Sequence, residues 1–213
     1  MRRKRNLEER LAACLDVCGA DPAKLRHLLE NGFKGRQAHL EIGCGKGSFA
    51  VESALANPDI LFIAMEKEKN VAVAAMEKAM AQDIPNLRFI VGDAMNLPDF
   101  FSEGEISRLY LNFCDPWPKK RQAKRRLTHE RFLKMYIELL TEGGEIHFKT
   151  DNLDLFNFSL DEFEKCGFLL KEVTNNLHGD GTPNILTEYE GMFAAKGIPI
   201  NRCVAVRRQP DER

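Results

Sequence analysis

The sequence predicts a doubly wound α/β fold: a mostly parallel, Rossmann-like sheet with helices on both faces. Three observations predict it. From Ala38 onward, short apolar runs alternate with segments of helix length, the pattern of parallel strands joined by crossover helices. The run Ile60–Met65 (I-L-F-I-A-M) is apolar without a break, as a strand covered on both faces must be. The first run leads into a glycine-rich turn, L-E-I-G-C-G-K-G over 40–47, where such sheets bind ligands beyond the carboxyl ends of their strands.

Arg2, Arg3, Lys4 and Arg5 form a basic arm. Charged residues follow at once, so the arm does not open a signal peptide. Leu7–Leu29 reads as helical, broken by a turn at Gly19, Asp21 and Pro22. Residues 1–37 are thus expected as an arm and helical extension, and 38–213 as the main domain. Ala38–Ile42 is the first strand and Ser48–Ala56 a helix that stops before Pro58. After Ile60–Met65 come a helix rich in Ala and Met, Glu68–Ala81, and a third strand, Leu87–Val91. The fourth strand, Ile106–Phe113, runs into a Pro-rich loop. Thr128 is the expected N-cap of a helix through Leu140 that Gly143–Gly144 closes. Glu145–Lys149 is the fifth strand, Leu153–Cys166 a helix ended by Gly167, and Phe168–Val173 and Cys203–Val206 late strands.

Bulk charge names no partner: 31 Lys and Arg stand against 32 Asp and Glu in 213 residues. Any nucleic-acid footprint must lie in how the charge is distributed. None of the six cysteines has C-x-x-C spacing, and no apolar stretch is long enough to span a membrane. The sequence therefore predicts a cytoplasmic protein with free thiols, no metal and no membrane contact. Monomer and homodimer are equally compatible with it.

The chemistry lies at the strand ends. Gly43, Gly45 and Gly47 let the backbone turn sharply and approach a ligand with no Cβ in the way. Their G-x-G-x-G spacing departs from the dinucleotide fingerprint G-x-G-x-x-G, with Ser48 at the third glycine position. Glu66 follows Gly43 by 23 residues, where a carboxylate can accept both hydroxyls of a ribose. Asp93, in G-D-A after the third strand, can take an adenine amino group, with Ala94 leaving room for the ring. The competing readings are a tight turn, a solvated acid and a turn aspartate. The fourth strand ends in N-F-C-D-P-W-P-K-K-R-Q-A-K-R-R-L-T. Pro116 and Pro118 stiffen the loop that Asp115 opens, and Trp117, the only tryptophan, can stack on a base. Lys119, Lys120, Arg121, Lys124, Arg125 and Arg126 place six cations within eight residues with no acid among them, a footprint for RNA phosphates rather than a merely solvated face.

The glycine loop, Glu66 and Asp93 together resemble the class I S-adenosylmethionine-dependent methyltransferases. The resemblance implies S-adenosylmethionine as cofactor, with Gly43 and Gly45 beside its methionine part and Glu41 facing the ammonium. With D-P-W-P-K-K-R, T-D-N (150–152) and T-E-Y-E (187–190), the chain resembles the TrmB family of tRNA (guanine-N7)-methyltransferases from about Leu40 to its end. That resemblance implies methyl transfer to N7 of a guanosine in the tRNA variable loop, expected at nucleotide position 46. It implies Glu41, Glu66, Asp93 and Asp115 at the cofactor, with Asp115 also catalytic. Lys119, Asp151, Thr187, Glu188, Tyr189 and Glu190 would lie at the tRNA substrate, and Lys120 and the run from Arg121 to Arg126 against RNA. The alternatives are an N-capping role for Asp151 and an exposed turn for T-E-Y-E, which lies between loop signals at Pro183 and Gly191. The family's common His after K-K-R is Gln122 here, which can hydrogen-bond but cannot titrate near neutrality.

Guanine N7 has a free lone pair, so the expected reaction needs no general base. Positive charge moves from sulfur to purine, and a carboxylate such as Asp115 stabilises it. The N1/N2 edge lies on the opposite side of the base and suits Asp151, Glu188 or Glu190. Lys119 suits O6 or a phosphate. The rival functions are a nicotinamide-dependent dehydrogenase, a methyltransferase with another substrate, and a non-catalytic RNA-binding module. A dehydrogenase needs no D-P-W-P-K-K-R, and an RNA-binding module needs neither Glu66 nor Asp93.

Overall fold

The structure, a computed structural model, describes residues 6–33, 35–179, 181, 184–194 and 196–208. The basic arm and the Pro183 loop signal lie outside the described residues. The chain forms two compact units, Met1–Phe101 and Ser102–Arg213.

In the first unit, β1 (Ala38–Ile42), β2 (Leu61–Glu66) and β3 (Leu87–Val91) are parallel, in the order β3-β2-β1. β1 is buried along its whole length and β2 everywhere but at Glu66. For β2 that is the environment predicted from the unbroken apolar run Ile60–Met65. The crossover helices are α3 (Ser48–Ala56) and α4 (Lys69–Met80). Ahead of them, α1 (Leu7–Cys18) buries Leu7, Leu11, Cys14 and Cys18, one stripe at helical spacing. Arg10 ties α1 to α4 through two bonds to Glu77, Nε–Oε1 at 2.7 Å and NH2–Oε2 at 2.6 Å. The following turn joins the sheet, where the Ala20 amide donates to the Phe89 carbonyl at 2.8 Å. Asp21 then caps α2 (Pro22–His27) by accepting from the Lys24 amide, and a π-helical turn, Leu28–Gly32, continues it. A 3-10 turn, Ala94–Asn96, and the short α5 (Leu97–Phe100) complete the unit. Neither was anticipated.

In the second unit the order is β4-β5-β7-β6, with β4 (Ile106–Asn112) parallel to β5 (Leu140–Thr150). β7 (Asn201–Arg207) lies antiparallel between β5 and β6 (Phe168–Thr174). Aromatic contacts fill the core behind β5. Phe148 stacks on Phe156 with ring centroids 6.1 Å apart and meets Phe163 edge-on at 6.2 Å, and Phe163 meets Phe168 at 5.7 Å. Phe156 and Phe163 come from α7 (Leu153–Lys165).

Two expectations are corrected here. α6 (Glu130–Leu139) is capped by His129, whose Nδ1 accepts from the Arg131 amide at 3.2 Å, not by Thr128. Thr128 is fully buried instead, with its hydroxyl 2.7 Å from that of Ser159 on α7. Nor do Gly143 and Gly144 close the helix. It ends at Leu139 because Leu140 is already extended and paired with Ile106. The two glycines fall inside β5, where the register jumps between the pairs Ile106–Leu140 and Arg108–Glu145. Gly143, at φ +69°, supplies the left-handed residue this bulge needs. Among the described residues, no helix is long and apolar enough to cross a membrane.

Candidate functional site

In the first unit, the ends of all three strands carry the predicted residues. Gly43 and Gly45 have φ of +79° and +58°, and a Cβ on either would meet nothing within 4 Å. Both therefore combine a left-handed backbone with open space beside it, which is what close approach by a ligand requires. Gly47 serves another purpose: a Cβ there would lie 2.8 Å from the Cβ of Ala75, so this glycine lets α4 pack against the loop. The amides of Gly43 and Cys44 donate to the Met65 carbonyl at 2.8 and 3.1 Å, pinning the loop to β2.

Glu66 tightens the same junction. Its Oε2 accepts from the Gly45 amide at 3.0 Å and its Oε1 from the Glu68 amide at 2.9 Å. A carboxylate offers about four acceptor positions, so these two bonds orient the group while leaving capacity for ligand hydroxyls. Asp93 likewise holds its own turn, with Oδ1 accepting from the Met95 amide at 3.0 Å. Its Oδ2 meets Lys67 Nζ at 2.7 Å, an ion pair with side-chain exposures of 40% and 68%, weak at such exposure. The turn-aspartate reading thus holds, and the carboxylate is still accessible. Ala94 beside it is buried. Glu41, on β1, is 2% exposed. Burial first, then the negative charges of Glu41 and Glu66, push the Cys44 thiol well above its usual range. Two acids, Glu41 and Glu66, thus act on the glycine loop at Cys44.

In the second unit, β4 leads into the loop of Asp115. Phe113 and Trp117 flank it in left-handed backbone, at φ +52° and +41°. Each such non-glycine residue costs roughly 1–2 kcal/mol, so other contacts must hold the loop. The Phe113 amide donates to the Lys149 carbonyl at 2.9 Å. Arg126 donates from Nε to the Pro116 carbonyl at 3.0 Å and from NH2 to the Trp117 carbonyl at 3.1 Å. Its guanidinium also lies 4.2 Å from the centroid of Phe158, and that of Arg125 lies 4.8 Å from the centroid of Trp117. Asp115 itself is exposed. Lys120–Arg125 form a 3-10 turn on which Lys119, Lys120, Arg121, Lys124 and Arg125 are exposed, while Arg126 and Gln122 are half-buried.

After β5, Asn152 caps α7, its Oδ1 accepting from the Leu155 amide at 2.8 Å. The capping role weighed for the exposed Asp151 belongs to its neighbour. T-E-Y-E is not an exposed turn either. It opens α8 (Glu188–Ala194) as a capping box, in which the Glu190 amide donates to Thr187 Oγ1 at 3.0 Å and the Thr187 amide to Glu190 Oε2 at 3.4 Å. Glu190 is fully buried and paired with Lys149, Nζ to Oε2 at 2.7 Å. Its Oε1 accepts from the Asn184 side chain and lies 3.5 Å from His178 Nε2. Lys149 also donates to Asn184 Oδ1 at 3.0 Å and to the Ile185 carbonyl at 3.2 Å. Of the predicted substrate residues, Glu188 and Tyr189 face solvent, Tyr189 with 60% exposure, and Glu190 does not. Lys149 was missed by sequence reasoning. The spacing T-x-x-E was the available signal for the helix start, and nothing local marked its lysine partner. Phe193 of α8 stacks on Phe113, with centroids 6.0 Å apart, so the helix also supports the Asp115 loop.

The chain is similar in sequence and in fold to known proteins. A family model described as "Putative methyltransferase" covers residues 35–203. A tRNA (guanine-N(7)-)-methyltransferase of Macrococcus caseolyticus is 47% identical over 207 residues, 96% of this chain and 98% of that protein. Among solved structures, the 16S rRNA methyltransferase KamB superposes with a TM-score of 0.70 at 14% identity, covering 90% of this chain and 95% of its own. A phosphoethanolamine N-methyltransferase of Haemonchus contortus, solved in complex with S-adenosyl-L-methionine, gives 0.53 at 13% identity, with 97% and 59% covered. These last two likenesses bear on the fold, which is that of Rossmann-like methyltransferases.

Proposed function

The chain belongs to the tRNA (guanine-N7)-methyltransferase family, and from that premise we propose how its residues divide the work. It transfers a methyl group from S-adenosylmethionine to N7 of a guanosine in tRNA. We assign the acceptor to the variable loop and the protein to the cytoplasm. The buried thiols of Cys14, Cys18, Cys44 and Cys203, packed as small hydrophobes, support that compartment.

S-adenosylmethionine supplies a methyl group on a cationic sulfur. Glu41, Gly43, Gly45, Glu66, Asp93 and Ala94 would hold it. The open space at Gly43 and Gly45 and the acids Glu41 and Glu66 beside the loop support that fit. Glu66 takes the ribose hydroxyls and Asp93 the adenine amino group.

On the nucleic-acid side, no residue needs to remove a proton, because guanine N7 presents a lone pair. The purine becomes cationic as it is methylated, and Asp115 stabilises that charge from a fixed loop. Lys119 bonds to O6 or to a phosphate. Asp151 and Glu188 read the N1/N2 edge, which selects guanine over adenine. Their exposure supports this, whereas Glu190 is engaged in holding α8. Tyr189 offers an exposed ring for stacking. The exposed cations from Lys120 to Arg125 contact phosphates.

The observation that carries this reading is the exposed Asp115 on a loop fixed in left-handed backbone, running directly into the cationic turn. Asp115→Asn keeps the shape and removes the charge. Its single-turnover methyl transfer, at saturating S-adenosylmethionine and tRNA, should slow on the order of a hundredfold. The tRNA dissociation constant should change far less, because phosphate contacts dominate it. A variant as fast as wild type would refute the assignment.

A further inference from the structure

We propose that Arg126, the last cation of the basic run, is a positioning residue for the Asp115 loop and not a contact to RNA. The inference rests on the role given to Asp115 above. In sequence Arg126 is indistinguishable from its neighbours. In the structure it differs from all of them. Lys119, Lys120, Arg121, Lys124 and Arg125 are exposed, whereas Arg126 is half-buried and turned into the protein. One planar guanidinium bonds two successive carbonyls, those of Pro116 and Trp117, at 3.0 and 3.1 Å. One of its faces rests on Phe158 of α7, at 4.2 Å.

These contacts meet a specific need. The loop holds two non-glycine residues in left-handed backbone, Phe113 and Trp117. Pro116 and Pro118 have no amide hydrogen to offer. The loop therefore cannot hold itself by a ladder of backbone bonds, and an outside donor must fix its carbonyls. The fork of an arginine can take two carbonyls in one plane and stack at the same time, which a lysine cannot do. Arg125 grips the neighbouring ring, so the consecutive arginines hold Trp117 by its backbone and by its indole. Asp115 lies between the two left-handed residues, and its place relative to the guanine follows from how firmly they are held. A misplacement of about 1 Å at a reacting centre can cost on the order of a hundredfold in rate.

Arg126→Lys separates the alternatives because it keeps the charge and removes the fork and the stack. A phosphate contact would survive it almost unchanged. A positioning role predicts a ten- to hundredfold slower single turnover at saturating tRNA, with the salt dependence of tRNA binding as in wild type. Lys124→Ala, run alongside as the phosphate-contact reference, should reduce the slope of log K against log salt by about one. Trp117 is the only tryptophan, so its emission and its quenching by acrylamide report the loop directly in the free enzyme. Both should change in Arg126→Lys and in Arg126→Gln while the melting temperature stays near wild type. Wild-type emission and turnover in Arg126→Lys would overturn the proposal, as would an Arg126→Gln variant that loses salt slope but not rate. If Asp115→Asn retains its rate, the role of Asp115 falls, and the fluorescence of the Arg126 variants still decides whether Arg126 holds the loop.

Discussion

Lys149→Met tests what anchors α8. The Lys149–Glu190 pair is sealed, with side-chain exposures of 6% and 0%, and the ammonium serves three acceptors: Asn184 Oδ1, the Ile185 carbonyl and Glu190. Removing the lysine leaves a carboxylate buried among groups arranged around a cation. Breaking such a pair costs about 3–5 kcal/mol. In a chain of this size each kcal/mol is worth roughly 2–4 °C, so a fully cooperative loss would lower the melting temperature by about 6–20 °C. The seven-residue α8 and the residues before it can also detach from β5 and rehydrate Glu190, which caps the global effect. In that case limited proteolysis should cut between 184 and 194 while the rest of the chain stays intact. The double variant Lys149→Met, Glu190→Leu removes both charges and should recover most of the lost stability. Calorimetry and proteolysis together cover both routes. A Lys149→Met protein that melts within roughly 1 °C of wild type and is cut no faster would refute the anchoring argument.

Glu66→Ala should weaken S-adenosylhomocysteine binding by ten- to a hundredfold, the loss of one or two charge-assisted bonds, and leave the salt dependence of tRNA binding alone; unchanged affinity by titration calorimetry would remove Glu66 from the cofactor site. His147 predicts a pH effect on stability. Burial pushes its pKa down to about 4 from 6.5, against the opposing pull of Glu145 and together with the charges of Arg108 and Arg202. Between those values the unfolded chain binds a proton that the folded chain refuses, so stability present above pH 6.5 is lost as pH falls towards 4, by about 3 kcal/mol in all. Urea unfolding at pH 7 and pH 5 should show the drop, and His147→Phe should lessen it; an equal drop in the variant would mean that His147 is not its source.

Sequence alone was most informative where a local signal and the global fold ask for the same thing. The strand candidates at 38–42 and 87–91 sit between turn-forming residues, and the structure begins and ends those strands at the same residues. The helix 48–56 was equally legible, bounded by Gly47 and by the Asn57–Pro58 stop. Reading failed where a distant partner overrules the local choice. Thr128 has every local credential of a cap, and Ser159 on another helix takes its hydroxyl. Gly143 and Gly144 look like a helix stop, and pairing with β4 draws them into a strand. Charge alone did not show burial either. Arg126 was expected against RNA and Glu190 at the tRNA substrate; in the structure the first bonds the Pro116 carbonyl and the second pairs with Lys149, partners that no local pattern marks. At the glycine loop, spacing alone marked all three glycines alike, and only the family resemblance set Gly43 and Gly45, which have open space beside them, apart from Gly47, which a helix needs.

The position of β7 constrains the order in which the second unit can assemble. β6 is made before β7 but, among the described residues, has no strand neighbour other than β7. As the chain leaves the ribosome, β4 and β5 can pair and α7 can settle on them, while residues 168–174 wait for a partner some thirty residues downstream. During that interval β5 exposes one edge and β6 exposes two, the kind of unsatisfied backbone that recruits other chains. Insertion of residues 201–207 satisfies both strands in one step, so completion of this sheet is a single closing event rather than gradual growth from one side.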